Sequence, residues 1–179
     1  MKKILLVAAL AGFVSVSCVK DEVYSGELPV EEVAQTLCIN EVCPNQKKIE
    51  LYNTGKKEIN LSGCSMLKDD SDLWELPSVK LAAGAVVVFT AKSSNPADGP
   101  SFGLSATKGF KLELLDKKGS RLDLLDNSKG TDQFFSFDET QDDQTLGRKT
   151  DGDSQWVIFN PGSIGSSNST GKFSANWGK

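Results

Sequence analysis

The side chains with reactive or metal-binding potential in this 179-residue chain are mostly carboxylates. Three groups stand out by spacing: Asp69, Asp70 and Asp72; Asp138, Glu139, Asp142 and Asp143; and Asp151 with Asp153. Hard oxygen ligands of this kind suit Ca²⁺, which takes about six to eight oxygens where loops converge on it. None of the three groups follows the EF-hand spacing, and a solvated acidic loop is the commoner role of such runs. A carboxylate pair can also cleave a glycosidic bond, but the sequence gives no sign of an aromatic-flanked cleft. The chain has no histidine. That excludes triads with a histidine base and His-rich zinc sites. The residues read as non-enzymatic and require no cofactor, with calcium the one candidate ion.

Aromatic residues beside these acids are the other candidates for contact with a ligand. Phe134, Phe135 and Phe137 alternate with polar residues in an acidic stretch, and Trp74 follows Asp72 closely. On the surface, such rings would stack on a sugar or anchor a partner. The more common role is a strand's contribution to the core. Phe173 and Trp177, in a Gly- and Ser-rich end, read as residues that fold back over an open end of the domain.

Cys18 carries chemistry of a different kind. Lys2 and Lys3 precede an apolar run over residues 4–16, and Ser15-Val16-Ser17-Cys18 closes it. The run is too short to span a bilayer, which takes about 20 residues, but suits a signal peptide core. The segment resembles bacterial lipoprotein leaders, with cleavage before Cys18 and lipid on its thiol. Ser15 departs from the usual leucine. Two or more acyl chains give stable attachment where one is marginal. Lys20-Asp21-Glu22 resembles the surface-export signal of Bacteroidetes lipoproteins, which implies the outer face of the outer membrane. Removing residues 1–17 takes two lysines and no acid, leaving 18 basic against 24 acidic residues, a net charge of −6. That balance disfavours nucleic acid held through phosphate contacts.

The elements that must position these residues read as short strands between turns. Residues 18–35 are acidic and aperiodic, a lipidated N-terminus and flexible tether beyond the 1–17 leader. The folded part spans 36–168, and 169–179 is a C-terminal tail. Strand signals lie at 37–42, 48–53, 58–61, 64–67, 74–76, 85–90, 144–148 and 155–159. Val86-Val87-Val88-Phe89 is continuous enough to be buried on both faces. Lys111-Leu112-Glu113-Leu114-Leu115 and Arg121-Leu122-Asp123-Leu124-Leu125 flank a Gly-containing loop and predict a hairpin. Alternation puts Glu50 and Asn60 on the polar side of their strands. Trp156, Val157 and Phe159 should fill the core opposite Ile49, Leu51, Ile59 and Leu61. Cys38, Cys43 and Cys64 allow at most one internal disulfide.

Taken in order, these pieces resemble the lamin tail domain, an immunoglobulin-like all-β sandwich of antiparallel, Greek-key sheets. The resemblance rests on Ile39-Asn40-Glu41-Val42, Ile49-Glu50-Leu51-Tyr52-Asn53-Thr54-Gly55, Ile59-Asn60-Leu61-Ser62-Gly63 and Leu81-Ala82-Ala83-Gly84. Leu146-Gly147-Arg148, Asp151-Gly152, Trp156, Pro161-Gly162 and Asn168 complete it. Cys64 departs from the family's aromatic residue, and its burial would allow pairing with Cys38 or Cys43. The expectation is a membrane-anchored, non-catalytic binding or adhesion module for a glycan or protein. A calcium-dependent hydrolase and a purely structural envelope role are the alternatives.

Overall fold

Alternating apolar positions and Gly/Asn turns make twelve short strands among the described residues, with one turn of 3-10 helix at Asn168–Thr170. The computed structural model describes residues 36–178, so Cys18, the leader and the tether lie outside the described residues. One sheet has six strands, in the order β12-β11-β10-β1-β2-β7. These are β1 (Leu37–Cys43), β2 (Lys48–Asn53), β7 (Val86–Thr90), β10 (Thr145–Arg148), β11 (Trp156–Phe159) and β12 (Phe173–Asn176). The second has the order β5-β4-β8-β9, built from β4 (Ser65–Lys68), β5 (Asp72–Glu75), β8 (Gly109–Leu115) and β9 (Arg121–Ser128). A short pair, β3 (Ile59–Asn60) with β6 (Lys80–Leu81), lies apart from both sheets. All pairings are antiparallel. The architecture is an immunoglobulin-like β-sandwich.

The inner faces share one core. Ile39, Ile49, Leu51 and Leu146 meet Met66, Leu112, Leu114 and Leu125. Each is fully buried, and such a side chain contributes about 1.5–3 kcal/mol relative to exposure. A bulge interrupts the β1–β2 register between Ile39 and Glu41. Leu37 and Ile39 face the core before it and Val42 after it. The extra residue therefore leaves Asn40 and Glu41 together on the outer face of the sheet.

That outer face is not open to water. Residues 160–171 cross it, tied by Asn160 N–H to Lys172 O and Gly162 N–H to Asp143 O, both at 2.8 Å. Several expectations change for this reason. Glu50, expected on a polar face, is fully buried; Asn60 is half-buried. Val157 and Phe159 are buried beneath the crossing segment, while Ile158 enters the core and Trp156 packs at its margin. Val86, Val87 and Val88, expected to be buried on both faces, are half-buried because β7 ends the sheet.

The chain beyond residue 168 contributes an edge strand, β12, paired with β11. Trp177 folds back onto Trp156, their ring centroids 6.2 Å apart, but Phe173 stays largely exposed. Cys38, Cys43 and Cys64 are all free thiols, so the disulfide that Cys64 would have allowed does not form.

Gly162 shows how tight the crossing is. A Cβ there would fall 2.2 Å from Thr145 Cγ2 and 2.7 Å from Glu41 Oε1. Gly162→Ala should destabilise the domain by about 1–3 kcal/mol, the usual scale of overpacking. Denaturant melts measure it, and an unchanged midpoint would show that the segment lifts off freely.

Candidate functional site

Of the carboxylates picked out by spacing, Asp69, Asp70, Asp138 and Asp153 are engaged by neighbouring backbone or side-chain groups. Asp69 and Asp70 form the β4–β5 turn with positive φ values of 50° and 61°. Asp69 accepts the Lys111 backbone N–H at 2.8 Å and pairs with Lys68, while Asp70 pairs with the Lys111 ammonium. Asp72 is exposed at the start of β5. Asp138 accepts from the Thr140 N–H at 2.9 Å and from its hydroxyl at 2.7 Å, bonds that hold its carboxyl below the usual range. Asp142 and Asp143 act through backbone carbonyls, toward the Cys43 thiol and Gly162 N–H. Asp153 accepts the Gln155 N–H at 3.0 Å, and its carbonyl receives Arg148. Among the described residues, no group of three or more Cys, Asp or Glu is placed to hold a metal ion.

The aromatic candidates divide. Trp74 and Phe137 are core residues: Trp74 meets Phe89 edge-on at 5.0 Å, and Phe137 meets Phe135 at 5.1 Å. Phe134 and Phe135 are half-buried. The Trp74 indole N–H donates to Pro96 O at 3.0 Å, fixing the loop over residues 93–98.

A polar constellation that alternation hides sits under the crossing segment. Glu41 and Glu50 are cross-strand partners on β1 and β2. Glu41 Oε1 accepts from Ser163 N–H at 2.9 Å and from the Thr145 hydroxyl, and Oε2 accepts from the Ser163 hydroxyl at 2.7 Å. Glu50 accepts from Asn40 Nδ2 at 2.8 Å and Gly165 N–H at 2.6 Å. Asn40 Nδ2 also donates to Asp151 and Asn168, and Asn168 Nδ2 reaches Arg148 O at 2.5 Å. Burial pushes the Glu50 carboxyl up to about 7; bonds from Asn40 and Gly165 oppose the rise, and the charges of Glu41 and Asp151 add to it. Burial also works against the charge on Asp151, but hydrogen bonds from Ser167, the Asn168 backbone and Asn40 outweigh it and lower its pKa.

Two facing glutamates resemble an acid–base pair, yet every one of their oxygens is engaged by the protein and none is open to a substrate. The constellation is a fastening. Its signal in the sequence was Asn40-Glu41 with Glu50, Pro161-Gly162 and Asn168, all within the motifs quoted above.

One accessible feature among the described residues is the free edge of β7. Asn53 N–H bonds to Ala85 O and Ala91 N–H to Lys47 O. With the β2–β7 register, this turns the backbone of Val87 and Phe89 toward β2 and that of Val86 and Val88 away from it. A shallow groove of about 570 Å³ follows this edge, lined by Val79, Val87, Phe89, Ser93, Ala97 and Asp98 among others. Comparison with known families matches the sequence model of the Lamin Tail Domain to residues 31–141, more than half of the chain. No curated protein matches it.

Glu50 sets a pH dependence. Its folded pKa, about 7, lies above the ordinary 4.5. Its contribution is therefore full below the unfolded value and fades as pH rises through 7. The domain should lose about 2–3 kcal/mol of this contribution between pH 5 and pH 8. In Glu50→Gln, this part of the slope should vanish. Gln also sets an amide N–H₂ against a donor, so stability at pH 5 should fall by about 1–3 kcal/mol. Chemical denaturation at both pH values tests it; identical slopes in the two proteins would contradict the assignment.

Proposed function

Since the chain belongs to the lamin tail domain family, we propose that it is a membrane-anchored, non-catalytic binding module displayed at the cell surface. One observation carries the non-catalytic part. The side chains that look most like catalytic groups, Glu41 and Glu50, are buried and consumed in holding residues 163–165 against the sheet. What the domain offers to a partner is a backbone edge and a groove of mixed lining, with Val79 and Val87 beside Ser93 and Asp98. The backbone edge suits a polypeptide, which can pair with it through its own main chain, while the one ring in the groove, Phe89, is buried and offers no face to a sugar.

The anchoring rests on the residue pattern at the start of the chain. Residues 1–17 have the composition of an export leader, Cys18 stands where a lipoprotein is lipidated, and Lys20-Asp21-Glu22 resembles a surface-export signal. Lipid at Cys18 would fix the domain at the membrane with the 18–35 segment as spacer. Such a spacer, if extended, reaches roughly 55–60 Å at about 3.3 Å per residue.

Cys18→Ala should move the protein from the membrane fraction to the soluble fraction, and retention in the membrane would contradict lipidation there. The released chain, applied to protein and glycan arrays, should bind polypeptide. Silence on both arrays would favour a purely structural envelope role.

A further inference from the structure

Natural sheets blunt their free edges with charged side chains, prolines, bulges or covering loops. β7 has none of the first three. It reads Val-Val-Val-Phe-Thr, and its register with β2 is unbroken. Its far end is already covered by the chain itself: Thr90 N–H donates to Asp98 O at 2.9 Å, and Lys92 N–H to Phe102 O at 2.8 Å. Gly99 lies so close that a Cβ would fall 2.2 Å from Thr90 O. The loop stops there. Among the described residues, no hydrogen bond reaches the outward N–H groups of Val86 and Val88.

We propose that this edge takes an extended peptide as an added strand, with an apolar side chain in the groove beside Val79 and Val87 and a basic residue against Asp98. The inference rests on the binding-module reading and names its partner. Two N–H and two C=O groups at Val86 and Val88 provide the main-chain pairing by which added strands gain affinity, and adjacent pockets provide specificity. Asp98 lines the groove with an exposed side chain. In a chain of net charge −4 it favours a cationic partner. A second copy fits less well. Self-pairing about Val87 would engage a stretch of about three residues, far short of the roughly 1,200–2,000 Å² of a stable interface.

The test uses the full chain in detergent and a fluorescent octapeptide of alternating threonine and valine with one terminal lysine. A second peptide carries N-methyl groups on alternate residues, which blocks strand pairing. The first peptide should bind and the methylated one at least tenfold more weakly. Val88→Pro removes an outward N–H without touching the bonds to β2. It should weaken binding tenfold or more with little change in melting temperature. If that variant unfolds, Asp98→Lys serves instead, and should shift preference to a peptide ending in glutamate. Equal binding of the two peptides, no binding of the first, or binding unaffected by Val88→Pro and Asp98→Lys would overturn the proposal. Dimerisation abolished by Val88→Pro, with no peptide bound, would assign the edge to a second copy and overturn it too. A polypeptide found on the arrays whose binding survives both variants would leave the module reading standing and this inference refuted.

Discussion

Two buried glutamates on neighbouring strands hold the outer face of the main sheet together. Carboxylates removed from water are costly unless each oxygen finds donors. Here the donors come from Ser163 and Gly165 in the crossing segment and from Asn40 and Thr145 in the sheet. The bulge at Asn40 makes the arrangement reachable, by placing two consecutive polar side chains on the same face. Covered in this way, Val157 and Phe159 become buried on a face that a simple sandwich leaves in water.

The same fastening shapes what remains available outside. Glu50 pairs in register with Val88, and the segment it holds passes beside that strand, a Cβ on Gly165 lying 4.0 Å from Val88 Cγ2. At the opposite corner, Arg148 pairs with Asp123 at 2.6 Å, donates to Ile39 O and lies 4.8 Å over the Trp156 ring. The charged groups of the interior are thus spent on joining segments distant in sequence. β7, with an uncharged and unbroken edge, leaves pairing capacity unspent at Val86 and Val88.

Much of the architecture was legible because it is local. The β8–β9 hairpin follows from alternation around a Gly-containing loop, and its strands pair from Gly109 with Ser128 to Leu115 with Arg121. The role of Glu50 was not legible, because its alternation looks identical whether the outer face meets water or a segment arriving more than a hundred residues later. For the same reason, a run of three valines says nothing about whether its strand lies inside a sheet or ends it. Acid spacing alone did not show what Asp69 and Asp70 do in the fold: they form the β4–β5 turn, where Asp69 accepts the Lys111 backbone N–H.

Amide hydrogen exchange resolved by residue tests the account most directly, since it reads both the fastening and the free edge in one protein. Ser163 and Gly165, though outside any strand, should exchange as slowly as core amides. Val86 and Val88 should exchange far faster than Val87 and Phe89, with which they alternate. Rapid exchange at Ser163 and Gly165, or equal protection along the whole of β7, would contradict it.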